Sequence, residues 1–136
     1  MNIALIGNGQ MGRMIDTLCA RDERLRVAGF VGPGACASLD ELSPVDVAID
    51  FSYPGNVEDM LGSAARRGIP LVIGTTGLSG EQEAAIRAAS AQIPIVRALN
   101  FSTGMALMRR LARTAAEALG EEFDIEIVET HHNRKE

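Results

Sequence analysis

The first thirteen residues restrict this chain to one kind of opening unit. Ile3-Ala4-Leu5-Ile6 is an unbroken apolar run, the pattern of a strand buried on both faces. Gly7-Asn8-Gly9-Gln10-Met11-Gly12 follows at once, and then Arg13. From there Met11, Met14, Ile15, Leu18 and Cys19 recur at the i, i+3, i+4, i+7, i+8 spacing of an amphipathic helix. A glycine turn of the form G-x-G-x-x-G between a strand and a helix is the context of dinucleotide binding. In that reading Gly7 makes the tight turn and Gly9 lets the backbone approach a pyrophosphate. Gly12 lets the helix lie close on the strand. The helix amino terminus offers unpaired N–H groups and a positive dipole end to the phosphates. A plain strand-to-helix connection would also use glycines, but the motif's place between strand and helix favours the cofactor.

The pattern continues. Val27–Val31 reads as a second strand, ended by Gly32-Pro33-Gly34. Val45–Phe51 reads as a third, stopped by Ser52-Tyr53-Pro54-Gly55, a turn by composition. Val57, Met60, Leu61, Ala64 and Ala65 repeat the helical stripe up to Gly68 and Pro70. Leu71–Ile73 is a fourth strand running into Gly74-Thr75-Thr76-Gly77, and Ser79 with Gln82 has capping-box spacing for the next helix. Ile93–Val96 is a fifth strand, followed by Arg97-Ala98-Leu99-Asn100-Phe101-Ser102. Strands alternating with helices imply an α/β fold, a Rossmann-type doubly wound parallel sheet covered on both faces. Ligands of such sheets gather beyond the carboxyl ends of the strands, where the loops at 7–12, 51–54, 74–77 and 100–102 all fall.

From Gly104 the pattern changes. Met105, Met108, Leu111, Ala112, Ala115 and Leu119 mark a long helix closed by Gly120. Phe123-Asp124-Ile125-Glu126-Ile127 alternates strictly, the mark of a strand with one wet face and so of a second, more open sheet. The expected division is a dinucleotide-binding domain over residues 1–102 and the start of a second, α+β domain over 103–136. The polar end, Glu129-Thr130-His131-His132-Asn133-Arg134-Lys135-Glu136, holds both histidines. His131 and Lys135 share a side in helical or extended backbone. A histidine near neutral pH can donate a proton and an ammonium can hold an anion. A polar chain end of no chemical role fits the spacing equally well.

Charge and composition narrow the partners. Acidic residues outnumber basic ones 18 to 13, a net charge of −5, where nonspecific nucleic-acid binding needs a basic footprint. No apolar run reaches membrane-span length, and the first one ends at Gly7 without a basic region before it. We therefore expect no nucleic acid, no membrane and a cytoplasmic protein. Cys19 lies on the first apolar stripe and reads as a buried thiol; metal ligation is not expected. The NAD fingerprint places an acid near the end of the second strand, but Gly32 follows that strand and the first acids are Asp40 and Glu41. No Arg or Lys stands there for a 2′-phosphate, so NADPH and NADH both remain open.

Taken together, Gly-Asn-Gly-Gln-Met-Gly-Arg at 7–13, Ile-Asp-Phe-Ser-Tyr-Pro at 49–54, Gly-Thr-Thr-Gly at 74–77, Asn-Phe-Ser-Thr-Gly at 100–104 and Glu-Thr-His-His-Asn-Arg-Lys at 129–135 resemble the dihydrodipicolinate reductase family. The last of these is the most specific, and the resemblance spans essentially the whole chain. It implies a reductase of diaminopimelate and lysine synthesis that passes hydride from NADPH or NADH to a cyclic dicarboxylate imine, 4-hydroxytetrahydrodipicolinate. By motif, Gly7, Asn8, Gly9, Gln10, Met11 and Gly12 would hold the pyrophosphate, with Arg13, Phe51, Ser52 and Ala98 also binding the cofactor. Gly74, Thr75, Thr76, Asn100 and Phe101 would line the nicotinamide. His131 would donate the proton, His132 would touch the substrate, and Lys135 would be a catalytic cation facing a substrate carboxylate.

The family also carries an Asp-Ala-Pro-Ser-Gly-Thr-Ala run soon after this lysine, and the sequence stops before it. The resemblance therefore covers an amino-terminal part, which by itself is expected to be inactive, and it implies a homo-oligomer, a tetramer in complete members. Two other classes share the glycine motif: a dinucleotide-binding module without catalysis, and another NAD(P)-dependent dehydrogenase acting on an amino acid.

Overall fold

The computed structural model describes residues 1–128 and residue 130. Five strands form one all-parallel sheet: β1 (Asn2–Ile6), β2 (Arg26–Val31), β3 (Val47–Asp50), β4 (Leu71–Ile73) and β5 (Ile95–Arg97). Their spatial order is β2-β1-β3-β4-β5. The chain leaves β1 to one side for β2 and then returns to the other side for β3. That reversal makes the β1–β3 boundary the topological switch point, where parallel α/β sheets open a crevice for ligands. The expected parallel α/β sheet is thus observed.

Alternation along the strands assigns two cores. Ala4, Ile6, Ala48, Leu71 and Ile73 point to one face and pack with residues of α2 (Val57–Arg67) and α3 (Gly80–Ala89). Ile3 and Leu5 point to the other and pack with Ile15 and Cys19 of α1 (Gln10–Cys19). Burial pushes the Cys19 thiol up, and the nearby carboxylates of Asp16 and Asp22 add to the effect. The thiol is free and buried, as a small core side chain.

Local chemistry places the helix ends. Ser79 caps α3 through its Oγ, which accepts from Gln82 N–H, while the Gln82 side chain accepts from Ser79 N–H at 3.0 Å. Gly68 ends α2 in the left-handed region at φ 66°, which costs glycine nothing. Glu58 and Asp59 open α2 and Arg66 and Arg67 close it, matching its dipole. Arg66 also pairs with Asp40 at 2.6 Å. That guanidinium, with a hydrogen bond from Ser63, holds the Asp40 carboxyl below the usual carboxylate range. A lowered folded value gives stability that is present above the ordinary aspartate pKa of about 3.9 and lost as pH falls through the folded value. We expect the urea midpoint of Arg66→Gln to fall less than the parent's between pH 6 and pH 3. An equal fall in both proteins would remove the pair from the pH dependence.

Two readings of the sequence change. The stripe of α1 is wider than the face it buries: Gly12 and Cys19 are buried, while Met11, Met14 and Leu18 stay exposed. The reason lies at Gly12, whose close approach to the sheet fixes how α1 is rotated. Second, no strand forms over Phe123–Ile127. Phe123 is extended (φ −122°, ψ 131°), yet 124–128 make no ladder among the described residues, and Ile127 is 87% exposed. Alternation supplies one face of a strand but no neighbour to pair with.

The chain divides into two compact units, the first being Met1–Leu99 and the second beginning at Asn100. In the second, α4 (Thr103–Leu119) starts at Ser102, whose Oγ accepts from Met105 N–H, and ends at Gly120. Its large apolar residues, Met105, Leu107, Met108, Leu111 and Leu119, are exposed. No helix among the described residues is long and apolar enough to cross a membrane.

Candidate functional site

Register places the carboxyl ends of all five strands in one row: Val31, Ile6, Asp50, Ile73 and Arg97 are successive partners. After β1, β3, β4 and β5 the next residue donates to the carbonyl beside it, while Gly32 after β2 donates to Cys36 O of its own loop. Gly7 N–H donates to Val31 O at 2.9 Å, Phe51 N–H to Ile6 O at 3.0 Å, Gly74 N–H to Asp50 O at 2.8 Å, and Ala98 N–H to Ile73 O at 3.2 Å. Four residues singled out from separate stretches of sequence, Gly7, Phe51, Gly74 and Ala98, therefore stand side by side.

Each glycine of the first turn has its own reason. Gly7 adopts φ +95°, and a Cβ there would lie 2.6 Å from Phe51 O. A Cβ on Gly12 would lie 2.1 Å from Gly7 O, so the first turn of α1 rests on the turn that precedes it. Around Gly9 there is nothing within 4 Å of such an atom. Its glycine is not needed by the fold, and the open space lies at the amino end of α1. Gly9 is the N-cap of that helix and no side-chain hydrogen bond caps it. A cradle of this kind fits a pyrophosphate.

Around it, Asn8 Nδ2 donates to Pro33 O and Arg13 Nε donates to Asn8 O at 3.1 Å, tying the glycine turn to the loop after β2. Arg13, Asp16, Phe30 and Gly34 line an open groove there. It carries one cation and one anion, and α1 rather than the loop supplies both. Gln10 and Met11 are exposed on the first turn of α1.

The β3 and β4 loops interlock. The Phe51 ring fills the place of a side chain at Gly74, where a Cβ would meet Phe51 Cε1 at 2.3 Å. Ser52 N–H is shared between Asp50 Oδ1 at 3.0 Å and Thr75 Oγ1 at 2.9 Å, and Ser52 Oγ donates to Asp50 Oδ1 at 2.6 Å. Thr75 is buried by this use, while Thr76 is exposed. At the far end, Arg97 pairs with Glu83 at 2.9 Å and donates to Ala98 O at 3.0 Å, fixing the turn after β5. Sequence reading passed over Asp50 and Arg97. A carboxylate closing an apolar strand was the one signal for the first, and nothing marked the second.

Asn100 and Phe101 belong to the second unit, where Asn100 Oδ1 accepts from Ser102 N–H at 2.7 Å. His131, His132 and Lys135 lie outside the described residues. Among the described residues no three His, Cys, Asp or Glu side chains are grouped to hold a metal ion.

A parallel sheet with its switch point beside an uncapped, glycine-fronted helix defines a Rossmann-type dinucleotide-binding domain. Residues 1–101 match the family described as dihydrodipicolinate reductase, N-terminus. Over 99% of its length the chain is 44% identical to the 4-hydroxy-tetrahydrodipicolinate reductase of Alkaliphilus oremlandii, covering 56% of that protein. It is 43% identical to the enzyme of the same name from Campylobacter lari, covering 55% of it, and 41% identical to that of an Exiguobacterium species, again covering 55%. The chain belongs to the dihydrodipicolinate reductase family, and it spans about half the length of these curated relatives.

Proposed function

We propose that this chain is the cofactor-holding part of a reductase that transfers hydride from NADPH or NADH to 4-hydroxy-tetrahydrodipicolinate, in diaminopimelate and lysine synthesis. The observation that carries this is the row of Gly7, Phe51, Gly74 and Ala98 beside an uncapped α1 amino terminus with open space at Gly9. In this reading the first-turn N–H groups of α1, with Gly7 to Gly12, bind the pyrophosphate. Gly74, Thr75 and Thr76, with Asn100 and Phe101, line the nicotinamide, and Arg13, Phe51, Ser52 and Ala98 also bind the cofactor. The dihydronicotinamide supplies the hydride when bound. His131 donates the proton that completes the reduction, His132 touches the dicarboxylate, and Lys135 holds one of its carboxylates. The dinucleotide-binding domain runs to residue 102, three residues past the end of the first compact unit at Leu99, the working protein is a cytoplasmic homo-oligomer, and its partner is this small dicarboxylate rather than nucleic acid or membrane. The acid-free end of β2 and the mixed charge beside Arg13 support neither cofactor over the other. The relatives' shared name favours the reductase over a binding module or another amino-acid dehydrogenase.

Gly9→Val tests the site. Its backbone is extended (φ −74°, ψ −164°), which suits a β-branched residue, and a Cβ meets nothing within 4 Å. Stability should change by no more than about 1 kcal/mol, the scale of a helix-cap exchange. The isopropyl group would stand where the pyrophosphate must approach, so NADPH and NADH should both bind at least about tenfold more weakly. Titration by isothermal calorimetry decides it, and parental affinity in a folded Gly9→Val protein would remove the glycine turn from the cofactor site.

A further inference from the structure

Asp50 is the one carboxylate closed off in the core of the first unit among the described residues, 0% exposed at the end of β3. It sits between Ile6 and Ile73 in the row of strand ends, at the switch point. Its Oδ1 accepts both the N–H and the hydroxyl of Ser52, while Oδ2 is buried with no hydrogen-bond partner among the described residues. Burying an acceptor without a partner is costly, and a buried carboxylate is more so. Core packing alone would be better served there by an apolar residue, as at Ile6 and Ile73 on either side. What the carboxylate does instead is local. It holds Ser52, and the Ser52 N–H held this way also donates to Thr75 Oγ1, 23 residues further on. The loop after β3 is thus bound to the loop after β4 through one shared amide, with the Phe51 ring packed over Gly74 beside it.

We infer that Asp50 is a positioning residue of the dinucleotide site, fixing the β3 and β4 loops as a unit through Ser52 and Thr75. The inference rests on the cofactor reading proposed above. It separates two parts of the site: the glycine turn is also held from outside the β3 loop, by Gly7 N–H on Val31 O, Gly12 against Gly7 O and Asn8 on Pro33 O, whereas the Ser52–Thr75 link between the β3 and β4 loops depends on Asp50. Loss of the carboxylate should then weaken a whole dinucleotide more than a fragment that needs only the glycine turn.

The test uses the chain with Asp50→Ala and Asp50→Asn, reading the melting temperature and the Kd for NADPH and for ADP. Asp50→Ala should raise the NADPH Kd about tenfold or more and the ADP Kd by less than about threefold. Asp50→Asn keeps an acceptor oxygen for Ser52 and should recover NADPH affinity to within about threefold of the parent. If Asp50→Ala does not fold, Asp50→Ser carries the same expectation, since its hydroxyl is too short to hold Ser52. Unchanged NADPH affinity in the folded variant, equal losses for NADPH and ADP, or an Asn variant as weak as the Ala variant would each overturn the inference. A purely structural role would lower the melting temperature without splitting the two ligands. A parent chain that binds neither NADPH nor ADP would instead sink the cofactor reading itself.

Discussion

Gly12→Ala is expected to destabilise the first unit and to abolish its cofactor binding, although alanine is the better helix former by about 1 kcal/mol. The added methyl would lie 2.1 Å from Gly7 O, well inside contact distance. Its neighbour is a backbone oxygen, which cannot rotate out of the way like a side chain. Gly7 is itself fixed, because its N–H donates to Val31 O and its Cα faces the Phe51 carbonyl. The helix must therefore tilt or slide away from the sheet. Overpacking of this kind costs about 1–3 kcal/mol or somewhat more, which outweighs the gain in propensity. For a unit of under a hundred residues a net loss of up to about 2 kcal/mol lowers the melting temperature by up to roughly 16 °C. The same shift carries the first-turn N–H groups off the pyrophosphate position. Thermal denaturation and calorimetric titration with NADPH read both effects. The contrast with Gly9→Val is the sharper test, since that change should weaken binding at least about tenfold while costing no more than about 1 kcal/mol of stability. A Gly12→Ala protein that melts at or above the parent's temperature would show that α1 is not seated on Gly7.

His131→Gln, assayed in a chain of the relatives' full length, should lower kcat by about 10²–10⁴-fold. The proposed reduction needs a proton delivered as hydride arrives, and histidine is the side chain whose ordinary pKa lies near neutrality. Glutamine keeps the size and hydrogen bonding of the imidazole but cannot release a proton near pH 7. The Kd for NADPH should stay at the parental value, because the cofactor is assigned to residues between Gly7 and Phe101 and not to His131. In the parent a histidine limb is expected in the pH dependence of kcat, and in His131→Gln that limb should vanish. His132→Gln, by contrast, should act mainly through KM. Steady-state oxidation of NADPH with freshly generated substrate separates these effects, and a His131→Gln enzyme with the parental kcat would take the residue out of the mechanism.

Much of the first unit is written in short stretches of sequence. Leu71–Ile73 forms a strand over those three residues, Ser79 and Gln82 build the capping box that their spacing implies, and Gly68 and Gly120 close helices at the places a helix-stop would be read. These signals are local: each depends on residues within one turn or one strand. The glycine turn was legible for the same reason: Gly7 makes the turn at positive φ and Gly12 lets α1 lie close against it. Relations between distant segments were not legible. Nothing near Asp50 in sequence announces that Ile6 and Ile73 will flank it, or that Ser52 will share its amide with Thr75. Met11, Met14 and Leu18 sit on a helical stripe yet remain exposed, because contact with Gly7, not periodicity, sets the rotation of α1. Phe123–Ile127 has the alternation of a strand and no ladder among the described residues, because a strand is a pairing between two segments and alternation belongs to one. Sequence determined the elements and the chemistry each could offer; the sheet's register decided which of those chemistries meet.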